Sequence, residues 1–69
     1  MKAIKVFIYE REQFKMLNLI EKFNGHEDIV ATGTGQTDFV VATSGECAMA
    51  YVRAVLAGKL DDCTIETIK

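Results

Sequence analysis

The first candidate for chemistry in this chain is a glycine-rich segment, Gly33-Thr34-Gly35, whose composition is typical of phosphate-binding loops. Such a loop binds phosphate when it follows a strand and opens a helix, because the helix N-terminus then faces the phosphate. Here the segment is followed by a second strand pattern, and no lysine stands at the spacing of a P-loop. We therefore expect a hairpin turn rather than a nucleotide site.

The other polar candidates lack partners at useful spacings. His26 is the only histidine and stands in a polar connector beside Glu27-Asp28, without the neighbours that a metal site needs. Ser44 has no histidine at a spacing typical of an activated nucleophile, and the acid pair Asp61-Asp62 is of a kind common in turns. We expect no catalytic residue, no metal and no cofactor.

Composition limits the class of protein. The chain has 69 residues, 49% of them hydrophobic, and a formal net charge of −2 from eight basic and ten acidic residues. The basic residues are dispersed, so direct nucleic-acid binding is not expected. Cys47 and Cys63 form no C-x-x-C motif and are expected to be small buried side chains in a reducing compartment. No apolar run suits a signal peptide or a membrane span, which predicts one cytoplasmic domain over residues 1–69.

The hydrophobic period changes along the chain in the order strand, helix, strand, strand, helix, strand. This order predicts an α+β, ferredoxin-like βαββαβ domain, an antiparallel four-stranded sheet with two helices on one face. The strands are expected at residues 3–9, 29–34, 38–43 and 63–69. The first helix is expected at about residues 11–24, and the second follows Ser44 as its N-cap and stops at Gly58.

Helical spacing and glycine positions give the details of the two helices. We expect Gly25 and Gly58 to end the helices as left-handed C-caps. The apolar positions at three- and four-residue spacings in the first helix are Phe14, Met16, Leu17, Ile20 and Phe23.

Alternation within the strands predicts which face each side chain occupies. In the third strand, Val40 and Ala42 are expected to face the helices, which leaves Phe39, Val41 and Thr43 on the open face. In the first strand, the row suited to packing under the helices is β-branched: Ile4, Val6 and Ile8.

Right-handed crossovers place the first and third strands in the middle of the sheet. The open face is then expected to carry a central apolar patch of Phe7, Tyr9, Phe39 and Val41. Aromatic residues at such positions stack on bases in RNA-recognition modules, but Asp38 and the dispersed basic residues argue against that use. We expect instead that the chain forms a homodimer or higher homo-oligomer that buries the patch.

The hairpin reads T-G-Q-T-D-F-V-V over residues 34–41. This resembles the T-G-x-x-D-[FY] signature of the effector-binding domain of leucine-responsive and asparagine-responsive regulators, which also occurs as a free-standing module. The resemblance implies the same ferredoxin-like fold, dimers formed through the open sheet faces, and amino-acid binding in clefts near the hairpin. Carried onto this chain, it implies that the hairpin part of a ligand cleft is formed by Gly35, Thr37, Asp38 and Phe39.

Two roles remain open for Asp38, because its carboxylate could accept hydrogen bonds from a ligand ammonium or from its own turn. The favoured interpretation is a non-catalytic sensing or regulatory module that oligomerises through its sheet and binds an amino-acid-like effector. The alternatives are a ligand-free interaction or inhibitor protein, of the kind that phages and mobile elements encode, and a small dimeric α+β-barrel enzyme. None of the three predicts membrane association.

Overall fold

The computed structural model of the chain describes residues 1–60 and 62–68. A short 3-10 helix, Glu10–Glu12, precedes α1. The strands and helices are β1 (Lys2–Ile8), α1 (Gln13–Asn24), β2 (Ile29–Gly33), β3 (Asp38–Thr43), α2 (Glu46–Lys59) and β4 (Cys63–Ile68). Asp61, in the predicted last turn, and Lys69, in the predicted last strand, lie outside the described residues.

The four strands form one antiparallel sheet in the order β2-β3-β1-β4. Side chains from both helices join a single core with one face of the sheet, and the other face carries no helix. The α+β ferredoxin-like arrangement predicted from the hydrophobic pattern is therefore confirmed, as is the central position of the first and third strands.

The core side of β1 follows the prediction, but that of β3 does not. Phe39 and Val41 are fully buried, whereas Val40 is only half-buried. Phe39 lies opposite Val6 of β1, and residues directly opposite in an antiparallel pair point to the same face. The expectation that Phe39, Val41 and Thr43 lie on the open face is wrong. Asp38 belongs to the same alternating row as Val40, and turning that row inward would bury its carboxylate under the helices.

The side of α1 that packs on the sheet also differs from the prediction. Met16, Leu19 and Phe23 are buried, while Phe14 is 72% and Leu17 69% exposed. Each residue turns an α-helix by about 100°, so Phe14 lies about 200° from Met16 around the axis and the two cannot share a face. Phe14 and Leu17 are three residues apart, and so are Met16 and Leu19, so spacing permits either pair to begin the buried side of α1. Only the pair that begins at Met16 is followed by an apolar residue four positions later, Phe23.

The predicted caps are the third point of difference. Gly25 follows α1 but has φ −73° and ψ −8°, a right-handed helical conformation, and Gly58 lies inside α2. No described glycine has a positive φ. The residue before α2 is Gly45 rather than Ser44, and the Thr43 hydroxyl donates to the Gly45 carbonyl over 2.9 Å. The expected left-handed caps and the Ser44 N-cap are wrong.

These helix ends predict that Gly58→Ala stabilises the protein. A Cβ at this position meets no atom within 4 Å, and alanine restricts the unfolded chain more than glycine does. We expect the free energy of unfolding in urea to rise by about 0.5 kcal/mol. The neighbouring reverse change, Ala57→Gly, serves as the control and is expected to lower it by a similar amount. A loss of about 1 kcal/mol in Gly58→Ala would instead indicate a left-handed cap.

Candidate functional site

The hairpin between β2 and β3 is held by two hydrogen bonds from one threonine. The Thr34 amide donates to the Asp38 carbonyl over 3.1 Å, and the Thr34 hydroxyl donates to Oδ2 of the Asp38 carboxylate over 2.7 Å. At the end of β1, the Ile8 amide donates to the Thr37 carbonyl over 2.8 Å. The hairpin is thus anchored both to its own strands and to the centre of the sheet.

The Asp38 carboxylate lies over this loop. Lys5 Nζ is 3.5 Å from Oδ2, and the Asp38 side chain is 21% exposed. A Cβ added to Gly35 would overlap Oδ1 of the same carboxylate, so the loop backbone approaches Asp38 closely at the one position without a side chain. This geometry supports the turn-bracing role for Asp38.

The four residues that the resemblance assigned to a ligand cleft are therefore not equivalent. Gly35 is exposed, and Thr37 and Asp38 are half-buried beside it. Phe39 is fully buried under the helices, so its ring is not available to a ligand at the hairpin. The ligand role of Gly35, Thr37 and Asp38 stays a prediction, and Phe39 is a core residue.

The open sheet face carries one continuous apolar row at the end opposite the hairpin. Strand pairing sets Ile68 opposite Ala3, Ala3 opposite Ala42, and Ala42 opposite Val30. We call these four residues the apolar row. The two bulky residues stand on the edge strands, where Val30 is 61% and Ile68 42% exposed, and the two alanines lie between them. The row is therefore a shallow trough with two raised sides.

The rest of the open face is mixed. The next row contains Glu66, Lys5, Val40 and Thr32 in register. Lys5 Nζ also lies 5.3 Å from the centre of the Phe7 ring, so the aromatic ring is partly covered. Tyr9 stands beyond the end of β1, where the guanidinium carbon of Arg11 lies 4.9 Å from the centre of the Tyr9 ring. The central aromatic patch expected from the sequence is absent from this face; Phe7 is its only aromatic contribution within β1 and β3.

A groove of about 640 Å³ opens where α2 passes the start of β1 and the end of β4. Its apolar lining includes Ile4 and Met49, which are otherwise buried. Lys2 Nζ and Glu46 Oε1 form an ion pair of 3.1 Å there, and Arg53 also lines the groove. No sequence pattern predicts this groove, because Lys2 and Ile68 come close to Glu46 and Arg53 of α2 only through the fold.

Two of the remaining polar candidates make local structural contacts. His26 is exposed, and its Nε2 lies 3.1 Å from the hydroxyl of Tyr51, which tethers the end of α1 to α2. The Ser44 amide donates to the Asp28 carbonyl over 3.0 Å, so this serine fixes a connection rather than capping a helix. Within residues 1–60 and 62–68, no three His, Cys, Asp or Glu side chains are grouped to hold a metal ion.

The two cysteines differ in exposure. Cys47 lies exposed on α2, contrary to the expectation that it is buried, and Cys63 is half-buried. Burial raises the pKa of the Cys63 thiol, and the nearby charges of Asp62 and Glu12 raise it further. A raised pKa leaves less thiolate at neutral pH, so Cys63 is not an activated nucleophile.

No protein-family model, curated protein or solved structure matches the chain. The resemblance of the hairpin to the leucine-responsive regulators therefore stays a hypothesis. No helix among the described residues is long and apolar enough to cross a membrane.

The hairpin geometry predicts that Asp38→Asn destabilises the protein without any ligand. The change removes the charge that Thr34 and Lys5 both contact, and we expect the free energy of unfolding to fall by about 1 kcal/mol. Thr34→Val should lower stability by a smaller amount, and the double variant should lose less than the sum of the two. Near-normal stability of Asp38→Asn, together with a lost response to an amino acid, would instead assign Asp38 to a ligand.

The cysteine environments predict unequal reactivity. In a time course with iodoacetamide at mildly alkaline pH, followed by peptide mass spectrometry, we expect Cys47 to be alkylated before Cys63. Exposure favours Cys47, and the raised pKa of Cys63 lowers its thiolate fraction. Equal rates, or faster labelling of Cys63, would contradict its half-buried environment.

Proposed function

We propose that this chain is a small non-catalytic regulatory module that works as an assembly, in which two copies meet through the open faces of their sheets. The observation that carries the proposal is the apolar row, which crosses all four strands. An uncovered apolar surface of this kind marks an association site on a small domain. A chain of 69 residues also gains stability from association, because its own core is small.

The shape of the row favours a second copy as the occupant. A two-fold axis pairs the same surface with itself, and when the axis is offset from the middle of the row, a raised residue of one copy meets the low part of the other. Here the edge residues Val30 and Ile68 are raised and the central Ala3 and Ala42 are low. The side chain of Val30 can then pack over the alanines of the partner, and the reverse contact forms by symmetry.

The charges beside the row suit this arrangement. Glu66 and Asp38 lie on either side of Lys5 on the open face, and Lys5 is already paired with Asp38. Among the described residues of the face, Lys5 therefore separates the two acids, so that like charges are not adjacent there. Glu66 stands on the edge strand β4, at the rim of the surface that would be buried, where a charge keeps its hydration.

Ala42→Arg is the test variant for this assembly. A guanidinium at the centre of the row can stay hydrated in a single chain, whereas burying it unpaired costs about 3 kcal/mol. We expect light scattering to give a mass of twice 7.7 kDa for the wild type, and association of the variant to be weakened roughly a hundredfold.

The matched control is Ala54→Arg, the same change at an exposed position on α2. It should leave the mass and the melting temperature close to those of the wild type. Circular dichroism of Ala42→Arg must show a folded chain for the comparison to hold. A wild type that stays monomeric at tens of micromolar, or an Ala42→Arg variant that associates normally, would contradict the proposal.

Effector binding at the hairpin is the regulatory part of the proposal. It is supported by the exposed Gly35 and by the part of the Asp38 carboxylate that remains open to solvent. An amino-acid ammonium could reach that carboxylate, although Thr34 and Lys5 already contact it. A thermal-shift screen with the amino acids tests this part, because a ligand that binds only the folded state raises the melting temperature.

A ligand-free interaction protein is the second candidate, and the exposed side of α1 favours it. Phe14 and Leu17 lie one helical turn apart and are both more than two-thirds exposed. They belong to the helical side, away from the apolar row. Replacing both with serine should not change the mass of the homo-oligomer, and it should abolish binding to any protein partner that recognises this side.

A further inference from the structure

We infer that the groove beside α2 binds a small molecule with an apolar body and a single carboxylate, and that Arg53 receives the carboxylate. This inference goes beyond the proposed function, because neither the hairpin nor dimer formation requires a ligand in the groove, although Ala3 and Ile68 line the groove and also belong to the apolar row. The groove has a volume of about 640 Å³, within the range of roughly 300–1,000 Å³ that small-molecule sites occupy.

Charge balance in the groove determines the sign of the ligand. Lys2 and Glu46 neutralise each other through their 3.1 Å ion pair. Arg53 forms no ion pair or hydrogen bond with any of residues 1–60 and 62–68, so its positive charge is not compensated there. The unpaired guanidinium favours an anionic ligand, and its planar shape matches the two oxygens of a carboxylate.

The lining determines the rest of the ligand. Ile4 and Met49 supply the inner wall, and Ala50 and Ile68 extend the apolar surface outward. Methionine is flexible and adapts to an apolar ligand of variable shape. Burial of this surface supplies binding energy that one exposed ion pair cannot supply by itself. An apolar chain with a carboxylate at one end therefore satisfies both parts of the site.

Octanoate is the probe for this site, and amide chemical shifts of the isotopically labelled protein are the readout. We expect saturable shifts confined to residues 2–4, 46–53 and 67–68. Octanol keeps the chain without the charge, and acetate keeps the charge without the chain; each is expected to bind at least about tenfold more weakly. Equal binding of octanol, or shifts spread over the whole surface, would overturn the assignment.

Substitutions separate a role of Arg53 from general surface binding. Arg53→Gln should weaken octanoate binding about tenfold, and Arg53→Lys should weaken it less because the charge remains. Arg11→Gln is the matched control, since Arg11 is also exposed but lies beyond the opposite end of β1 against Tyr9. Unchanged octanoate binding in Arg53→Gln would overturn the inference.

The Ala42→Arg variant distinguishes this site from the proposed assembly. Ala42 does not line the groove, so octanoate is expected to shift the same groove residues in this variant as in the wild type, whether or not the wild type is a dimer. Loss of octanoate binding in Ala42→Arg would place the ligand on the apolar row and overturn the groove assignment.

Discussion

A carboxylate at the start of β3 cannot be turned under the helices without losing its hydration, and this constraint sets the two faces of the sheet. Asp38 points to the open side, where Thr34 and Lys5 contact it. Because side chains alternate along a strand, Phe39 and Val41 must then point to the core. The same alternation leaves Ala42 on the open face, where it completes the apolar row.

This assignment of the β3 side chains to the two faces of the sheet also explains the composition of the core. Phe39 lies opposite Val6, and Val41 lies opposite Ile4, so the two central strands present large side chains to the helices at neighbouring positions. Phe23 of α1 and Leu56 of α2 are fully buried in the same cluster. At the apolar row, the open face receives the smallest residues of the central strands, Ala3 and Ala42, which makes it shallow there. A shallow face with raised edges suits contact with a second copy of the same face better than it suits enclosure of a small ligand.

The sequence was sufficient for the element order and the central strands, because each depends on a hydrophobic period that runs over a whole element. It was not sufficient where two interpretations had the same period. Both rows of β3 contain a valine, and the signals that separated them were the acid at Asp38 and the large side chain of Phe39. In α1 both Met16 and Phe14 begin acceptable helical spacings, and only packing against the sheet chooses between them. The groove around Arg53 joins residues from the start of β1, the end of β4 and α2, so no local sequence pattern predicted it.

The apolar row and the groove beside α2 meet at one end of the sheet. Ala3 and Ile68 belong to the apolar row and also line the groove, whereas the hairpin lies at the opposite end of β1. A ligand in the groove would therefore adjoin the contact between two copies.

The most direct test of the central claim is an isotope-filtered nuclear Overhauser measurement on a sample mixed from labelled and unlabelled chains. It reports only contacts between different copies. The account predicts intermolecular contacts from the methyl groups of Ala3 and Ala42 to those of Val30 or Ile68. Intermolecular contacts from Phe14 and Leu17 in place of these, or none in a sample that light scattering shows to be dimeric, would contradict it.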